Sequence, residues 1–366
     1  MLKYISYICK MNNGNTMNRL LRKIFTIAIL ANTICLTAQN SHLFTTDNGL
    51  SNSLINEIIQ DKYGYIWIAT EDGLNRFDGI KFKRYGTEDL SHSYVHSIYE
   101  DKDGTLWIGT LTGLLTYNRE NDTFNQIPII YNGDTIEAHI SDIVEDSKGN
   151  IWVASTGRGL LICQDNIAHN CQEYVGIRDI EFTSSVIIEN AIDKSGTSYD
   201  NLWIVAHKNG VYCINLKTKE VSLVPISNDK PLAENAFVQS INGEIYLSAD
   251  GSNTMIYNRE KHLFEPTNIN SGNFFCSALS ARDEEILIGT DGNGLFSYDS
   301  KKQEQHRIDL YSSQLNFSKA KIHSIFIDRN KGLWLGLFQK GVMYIPRSLS
   351  MIKSYGYRPN STSDIS

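Results

Sequence analysis

The sequence predicts an all-β fold, a seven-bladed β-propeller with four-stranded antiparallel blades closed by an N-terminal strand. Three observations carry that prediction. A pattern first met in residues 58–74, "IIQDKYGYIWIATEDGL", returns six more times. Its anchor positions, Trp67, Trp107, Trp152, Trp203, Tyr246, Leu287 and Trp334, are spaced by 40, 45, 51, 43, 41 and 47 residues, and all five tryptophans of the chain fall in this register. Residues 43–46 occupy the place of an outermost strand but have no blade before them. A period of roughly 40 to 50 residues with about four strands per unit is that of propeller blades.

Within the first unit, residues 54–60 are apolar enough for a buried strand, and Asp61-Lys62-Tyr63-Gly64 has hairpin-turn chemistry. An Asp side chain bonds turn amides, and Gly accepts the positive φ that closes the loop. Residues 65–70, aromatic and branched, read as a second strand. A bend at Asp72-Gly73 leads to a third strand at 74–77 and a fourth at 81–85. The turn Asp returns six residues before the anchor as Asp101, Asp146 and Asp328, and Asp193 is expected to play that part in a longer hairpin. The later Gly returns as Gly113, Gly159, Gly210, Gly294 and Gly341.

By pattern the blades run over 54–85, 93–128, 138–175, 184–225, 235–266, 274–309 and 321–350. The fifth and sixth depart furthest, with Tyr246 and Leu287 at the anchor and no turn Asp. Such units must assemble, because a lone four-stranded sheet leaves both faces wet. Stacking gives each anchor a dry slot between blades, and ring closure removes any end blade. At about 150–250 Å² per aromatic and about 25 cal/mol per Å², one anchor contributes a gross term of roughly 4 to 6 kcal/mol.

The ends fit the same scheme. "DNGLSNSLINEI" from Asp47 aligns with "TEDLSHSYVHSI" from Thr87, so the strand at 43–46 is expected to complete the last blade. Residues 351–366, "MIKSYGYRPNSTSDIS", read as the lead-in to a following propeller or linker, Ile365-Ser366 matching Leu90-Ser91. The propeller itself is expected over 39–350. Residues 1–38 read as a signal peptide with its true start at Met17: Arg19, Arg22 and Lys23 precede an apolar run at 24–36, and Leu36-Thr37-Ala38 offers a small residue for cleavage. An uncut signal anchor is the alternative.

Composition is ordinary for a globular chain, 41% hydrophobic and 20% charged, and the repeat favours one domain over the two that length alone would allow. Removing the five basic residues of the leader takes the formal charge from −7 to −12. A domain this acidic is a poor partner for nucleic acid or anionic membranes. Of the mature cysteines, Cys163, Cys171, Cys213 and Cys276, none has zinc spacing. Cys163 and Cys171 flank a turn, where a cross-hairpin disulfide and two small buried side chains are both open readings.

Residues at the start of each innermost strand are expected to face the ring's axis. Eleven positions before the anchors stand Asn56, His96, Ser141, Asn235, Cys276 and His323. These fit ligand contacts, a metal site on His96 and His323, or a wet polar channel; the channel is the favoured reading, and two histidines without a nearby carboxylate are too few for a metal. Loops after the anchor strand are expected on the same rim. These offer Glu71, Asp72, Arg158 and residues 207–209, 250–253, 291–293 and 338–340, of which Arg158, His207, Asp291, Asn293, Gln339 and Lys340 are the best ligand candidates, with Phe338 as a stacking face. No cofactor or phosphate-binding motif is present.

The segments "DKYGYIWIATEDGLNRFDG" and "DKDGTLWIGTLTGLLTYN" resemble the two-component regulator propeller repeat, and "FTTDNGLSNSLINEIIQD" resembles the opening of sensor portions in Bacteroides-type hybrid two-component systems. The resemblance implies a non-catalytic periplasmic sensor with two such propellers, then a β-sandwich, a transmembrane helix, a histidine kinase, a receiver and a DNA-binding output. It also implies oligosaccharide ligands, control of glycan-utilisation genes and homodimeric receptors, this chain being the first propeller. Two other readings stay open: a propeller enzyme, a lyase or a glycoside-cleaving one, and the same sensor feeding a non-kinase output.

Overall fold

The computed structural model describes residues 41–171, 182–193, 195–227, 232, 235–249, 254–269, 275–309 and 315–347. The expected leader (1–38), the loop at 250–253 and the lead-in at 351–366 lie outside the described residues. The chain folds as a seven-bladed β-propeller of antiparallel blades. In the first blade the strands are Ile55–Gln60, Ile66–Thr70, Gly73–Phe77 and Phe82–Tyr85, numbered here from the axis outward. The inner strands of the next six blades are Val95–Glu100, His139–Glu145, Thr183–Ile192, Phe237–Ile241, Cys276–Arg282 and Ile322–Ile327.

The core is a set of seven slots, each between two neighbouring blades. Trp67 packs with Val95, Leu106 and Ile108 of the second blade. Trp107 packs with Ile140 and Val153 of the third, Trp152 with Val186 and Ile204 of the fourth, and Trp203 with Val238 and Leu247 of the fifth. Tyr246 meets Ile286 and Ile288, Leu287 meets Leu333 and Leu335, and Trp334 meets Ile55 and Ile68 of the first blade. All seven anchors are buried, as a residue sealed by its neighbour's sheet must be.

The turn Asp does more than shape its hairpin. Asp61, Asp101, Asp146 and Asp328 accept the indole N–H of Trp67, Trp107, Trp152 and Trp334 at 2.8–2.9 Å. Each lies two residues beyond the anchor's cross-strand partner, as Asp61 follows Ile59, which faces Trp67. Here the structure corrects the expectation for Asp193. It shapes its turn, accepting the amides of Ser195 and Thr197, but the fourth hairpin is so long that it lies beyond reach of the indole. Glu189, two residues past Ile187 opposite Trp203, accepts that N–H at 2.8 Å. The equivalents opposite Tyr246 and Leu287 are Ile241 and Arg282, beside anchors that have no indole to satisfy.

Two of these acids are fastened by the next blade. Arg119 donates to Asp61 at 2.8 Å and to Glu100 at 3.1 Å, and Arg259 pairs with Glu189. Both come from the motif Tyr-Asn-Arg-Glu at the outer turn.

The ring closes as expected. His42–Phe44 pairs antiparallel with Gly341–Ile345, placing His42 against Tyr344 and Phe44 against Val342. Gly341 has φ +87°, and a Cβ there would collide with the carbonyl oxygen of Phe44. Gly341→Ala is therefore expected to destabilise the fold by about 2 kcal/mol or more, with the Leu43 amide losing its hydrogen-exchange protection first. Unchanged protection would mean that the closing strand does not depend on this approach.

One element was not expected. Ile129–Tyr131 and Asp134–Ile136 form a hairpin that adds to the outer strand of the third blade, Ile167–Asn170, making a six-stranded sheet. Cys163 and Cys171 are separate thiols, both buried. Burial pushes Cys163 up to about 12 and raises Cys171 as well.

Candidate functional site

An innermost strand has one paired edge and one edge turned to the axis, so its polar groups there need other partners. In six of the seven inner strands the pairing slips by one residue, a β-bulge that swings one extra residue toward the axis. The extra residues are Asn56, His96, Ser141, Ser184, Ser277 and His323. Four of them bond a carbonyl of the following blade: Asn56 to Val95 at 2.7 Å, Ser141 to Thr183 at 2.6 Å, Ser184 to Ala236 at 2.8 Å and Ser277 to Ile322 at 2.6 Å. Between the fifth and sixth blades Ser248 does the same toward Cys276 at 2.7 Å. The histidines break the series. His96 makes no such bond, and His323 faces Asp291, Nε2 to Oδ1, at 3.3 Å.

These residues surround a cavity of about 620 Å³ on the axis, to which all seven blades contribute. Asn56, His96, Ser141, Asn235 and His323 line it, as do His207 and Asp291 from the loop set. Cys276 does not: it is buried opposite Thr290 in the position of Ile55, and the bulged residue is Ser277. The eleven-residue count misplaces it because the sixth hairpin closes with only Asp283-Glu284 between Arg282 and Glu285. Arg158 instead lies over the ring of Tyr131 at 5.3 Å, on the added hairpin. Asn293 accepts from Arg307 at 2.5 Å. Gln339 takes φ +56° in the turn before the closing blade's third strand, and the Lys340 amide donates to Leu337. Neither lines the cavity.

One position was missed. In six of the seven inner strands the residue just before the strand, or at its first pair, is Leu54, Tyr94, His139, Phe182, Phe275 or Lys321. In five blades its carbonyl accepts the amide of the residue following the anchor strand: Glu71, Leu111, His207, Asp291 and Phe338. Rings of His139, Phe182, Phe237 and Phe275, from four blades, line the cavity. Tyr94 stacks with His96 at 6.1 Å, His96 meets His139 edge-on at 5.3 Å, and Phe182 meets His207 edge-on at 6.4 Å. Phe338 packs against His323 at 5.0 Å, with the Lys321 ammonium over its face. The signal was available: aligning the starts of the inner strands, rather than counting back from the anchors, puts Tyr94, His139, Phe182 and Phe275 in one column.

Electrostatics follow from enclosure. Burial lowers His96 to about 4, aided by His139, and lowers His139 too. Burial works to raise Asp291, but Lys321 and His323 hold it below the usual carboxylate range. Next to the bulges, Glu57 accepts the Ile98 amide at 2.6 Å and Asp142 the Val186 amide at 2.9 Å. Neither lines the cavity. Burial, then the neighbouring Asp142, raises Glu57 to about 8, against the pull of the Ile98 amide. Burial raises Asp142 to about 6, against its amide and Ser185 bonds.

A folded-state pKa above the unfolded one means that the native state holds the proton longer, so stability falls as pH rises from about 4.5 through 8. Glu57→Gln keeps the amide acceptor and removes the titration. It is expected to be more stable than the parent at pH 8, by on the order of 1–3 kcal/mol, with the difference shrinking toward pH 5. A difference independent of pH would exclude Glu57 as its source. Among the described residues no group of three or more His, Cys, Asp or Glu could hold a metal ion.

Three segments, residues 49–72, 89–112 and 136–157, match the model of the two component regulator propeller. A histidine kinase, P4, of Formosa agariphila is 52% identical over 56 residues, which is 14% of this chain and 4% of the kinase. Among solved structures, the extracellular domains of two putative hybrid two component systems of B. thetaiotaomicron superpose with TM-scores of 0.66 and 0.68, at 22% and 20% identity. They cover 84% and 88% of this chain, which spans only 42% and 44% of theirs. A streptogramin B lyase shares the fold at 11% identity, with a TM-score of 0.62 over 83% of this chain and 96% of the lyase.

Proposed function

We propose that this chain, a propeller built with two component regulator propeller repeats, is the ligand-receiving head of a two-component receptor, lies outside the cytoplasm, and takes an oligosaccharide into its axial cavity. The ring-lined mouth of that cavity carries the reading. Flat aromatic faces beside imidazole, amide and hydroxyl groups suit a sugar, which offers C–H faces and hydroxyl edges in alternation, and about 620 Å³ lies within the roughly 300–1,000 Å³ of small-molecule sites. Occupancy would be passed to further domains of the same protein, a second propeller and a kinase among them, within a receptor dimer that controls glycan-utilisation genes.

The reading is non-catalytic. The alternative, a lyase or glycoside-cleaving propeller, would draw on the Asp291–His323 pair, where a carboxylate faces an imidazole at the cavity. Calorimetry of the full chain against oligosaccharides from partial hydrolysis of xylan, arabinan and pectin tests both. One pool is expected to bind and be recovered intact, and Phe182→Ala with Phe275→Ala is expected to weaken binding at least tenfold. Binding unaffected by the double substitution would place the site elsewhere, and shortened or unsaturated products would establish the enzyme.

A further inference from the structure

At the seam between the second and third blades the axial residue spends nothing on its neighbour. Asn56, Ser141, Ser184 and Ser277 each give their polar hydrogen to the next blade, whereas His96 Nδ1 and His139 Nε2 are buried without a hydrogen-bond partner. Both rings line the cavity, which leaves His96 Nε2 and His139 Nδ1 as the nitrogens on its side. A buried N–H without an acceptor is rarer and costlier than a buried lone pair without a donor. The protons of the two neutral imidazoles therefore sit on the cavity side, on rings whose centroids lie 5.3 Å apart. Asp291, the carboxylate that lines the cavity among the described residues, is already engaged by Lys321 and His323.

We infer that His96 and His139 form an anion-reading subsite, at which their cavity-side N–H groups receive a carboxylate or sulfate carried by the saccharide. The inference rests on the reading of the cavity as a saccharide site and names the charge class of its ligand. An anion there favours the imidazolium, so binding takes up a proton and tightens as pH falls. The ring of Tyr94 stands beside both imidazoles, with Glu71 acting on it, and Glu57 and Asp142 each follow the bulged residue of their own inner strand. Across the cavity stand His207 and the set of Asp291, Lys321 and His323. Burial raises both Glu57 and Asp142, which weakens their repulsion of an anion.

The experiment uses the full chain. Long-range ¹H–¹⁵N spectra are expected to show the Nε2–H tautomer at His96 and the Nδ1–H tautomer at His139, and the opposite tautomers would overturn the inference. Acidic oligosaccharides from pectin are then titrated beside the same pool after carboxyl reduction. The acidic pool is expected to bind at least tenfold more tightly at pH 6, with the advantage falling by pH 8. His96→Gln and His139→Gln should each weaken binding of the acidic pool at least tenfold more than that of the reduced pool, and either variant suffices if the other fails to fold. Equal binding of the two pools, or a preference that survives both substitutions, overturns the anion subsite and leaves the saccharide reading standing. Binding of neither pool in the cavity overturns both.

Discussion

Trp67→Ala will lower the unfolding free energy by about 3 to 5 kcal/mol, read as a shift of the denaturation midpoint at constant slope. The indole is fully buried. Its ring stacks on Tyr85 at 5.8 Å and receives the edge of Tyr117, a residue of the next blade, at 4.9 Å. Truncation removes transfer energy and leaves a cavity between two sheets that cannot close without moving a blade. Trp67→Phe keeps much of the packing and should cost roughly half as much. A loss below about 1 kcal/mol for the alanine variant would show that the slot is not a seal.

Asp61→Ala is expected to cost a similar amount, about 3 to 5 kcal/mol, although it removes only a small side chain. Asp61 is fully buried and four donors converge on it. The amides of Tyr63 and Tyr65 reach Oδ1 at 3.0 Å, while the Trp67 indole and Arg119 reach Oδ2 at 2.8 Å. Deleting the carboxylate leaves the indole N–H without its acceptor and takes from Arg119 one of its two carboxylate partners, Glu100 being the other. A double-mutant cycle with Arg119→Ala isolates the inter-blade part. The pair of substitutions should cost clearly less than the sum of the two, and strict additivity would mean that Arg119 does not hold the blades together through Asp61.

These two residues also show how the fold could be read. Trp67 and Asp61 recur at fixed separation because one supplies the seal and the other accepts its only polar atom, so pattern and physics coincide. The blade order and the closing strand followed from it. Where hairpin length changes, sequence counting loses the register: Glu189 replaces Asp193 at the indole, and Ser277 replaces Cys276 at the axis. Cross-strand pairing, which sets both, is not written at a constant spacing. The hairpin at the third blade was missed for another reason. Its Asn132-Gly133 turn, with φ of +53° and +90°, is a strong hairpin signal, but it falls between two repeats and carries no anchor.

The site was legible to the same degree. His96, Asn56, Asn235 and His323 reach the cavity because inner strands must present their first residues to the axis. Arg158, Asn293, Gln339 and Lys340 were chosen for loop polarity alone, and loop polarity does not say whether a side chain turns inward or toward the outer strands. Arg158 and Asn293 find partners in Tyr131 and Arg307. As ligand contacts all four remain proposals for a larger saccharide that extends over the rim.

The most direct test is a crystal structure of the chain with the oligosaccharide that calorimetry selects. A sugar ring should lie in the axial cavity against Phe182 or Phe275, within hydrogen-bond distance of His96 or His323. Saccharide density confined to the outer edges of the blades, with the axis holding only water, would contradict the assignment.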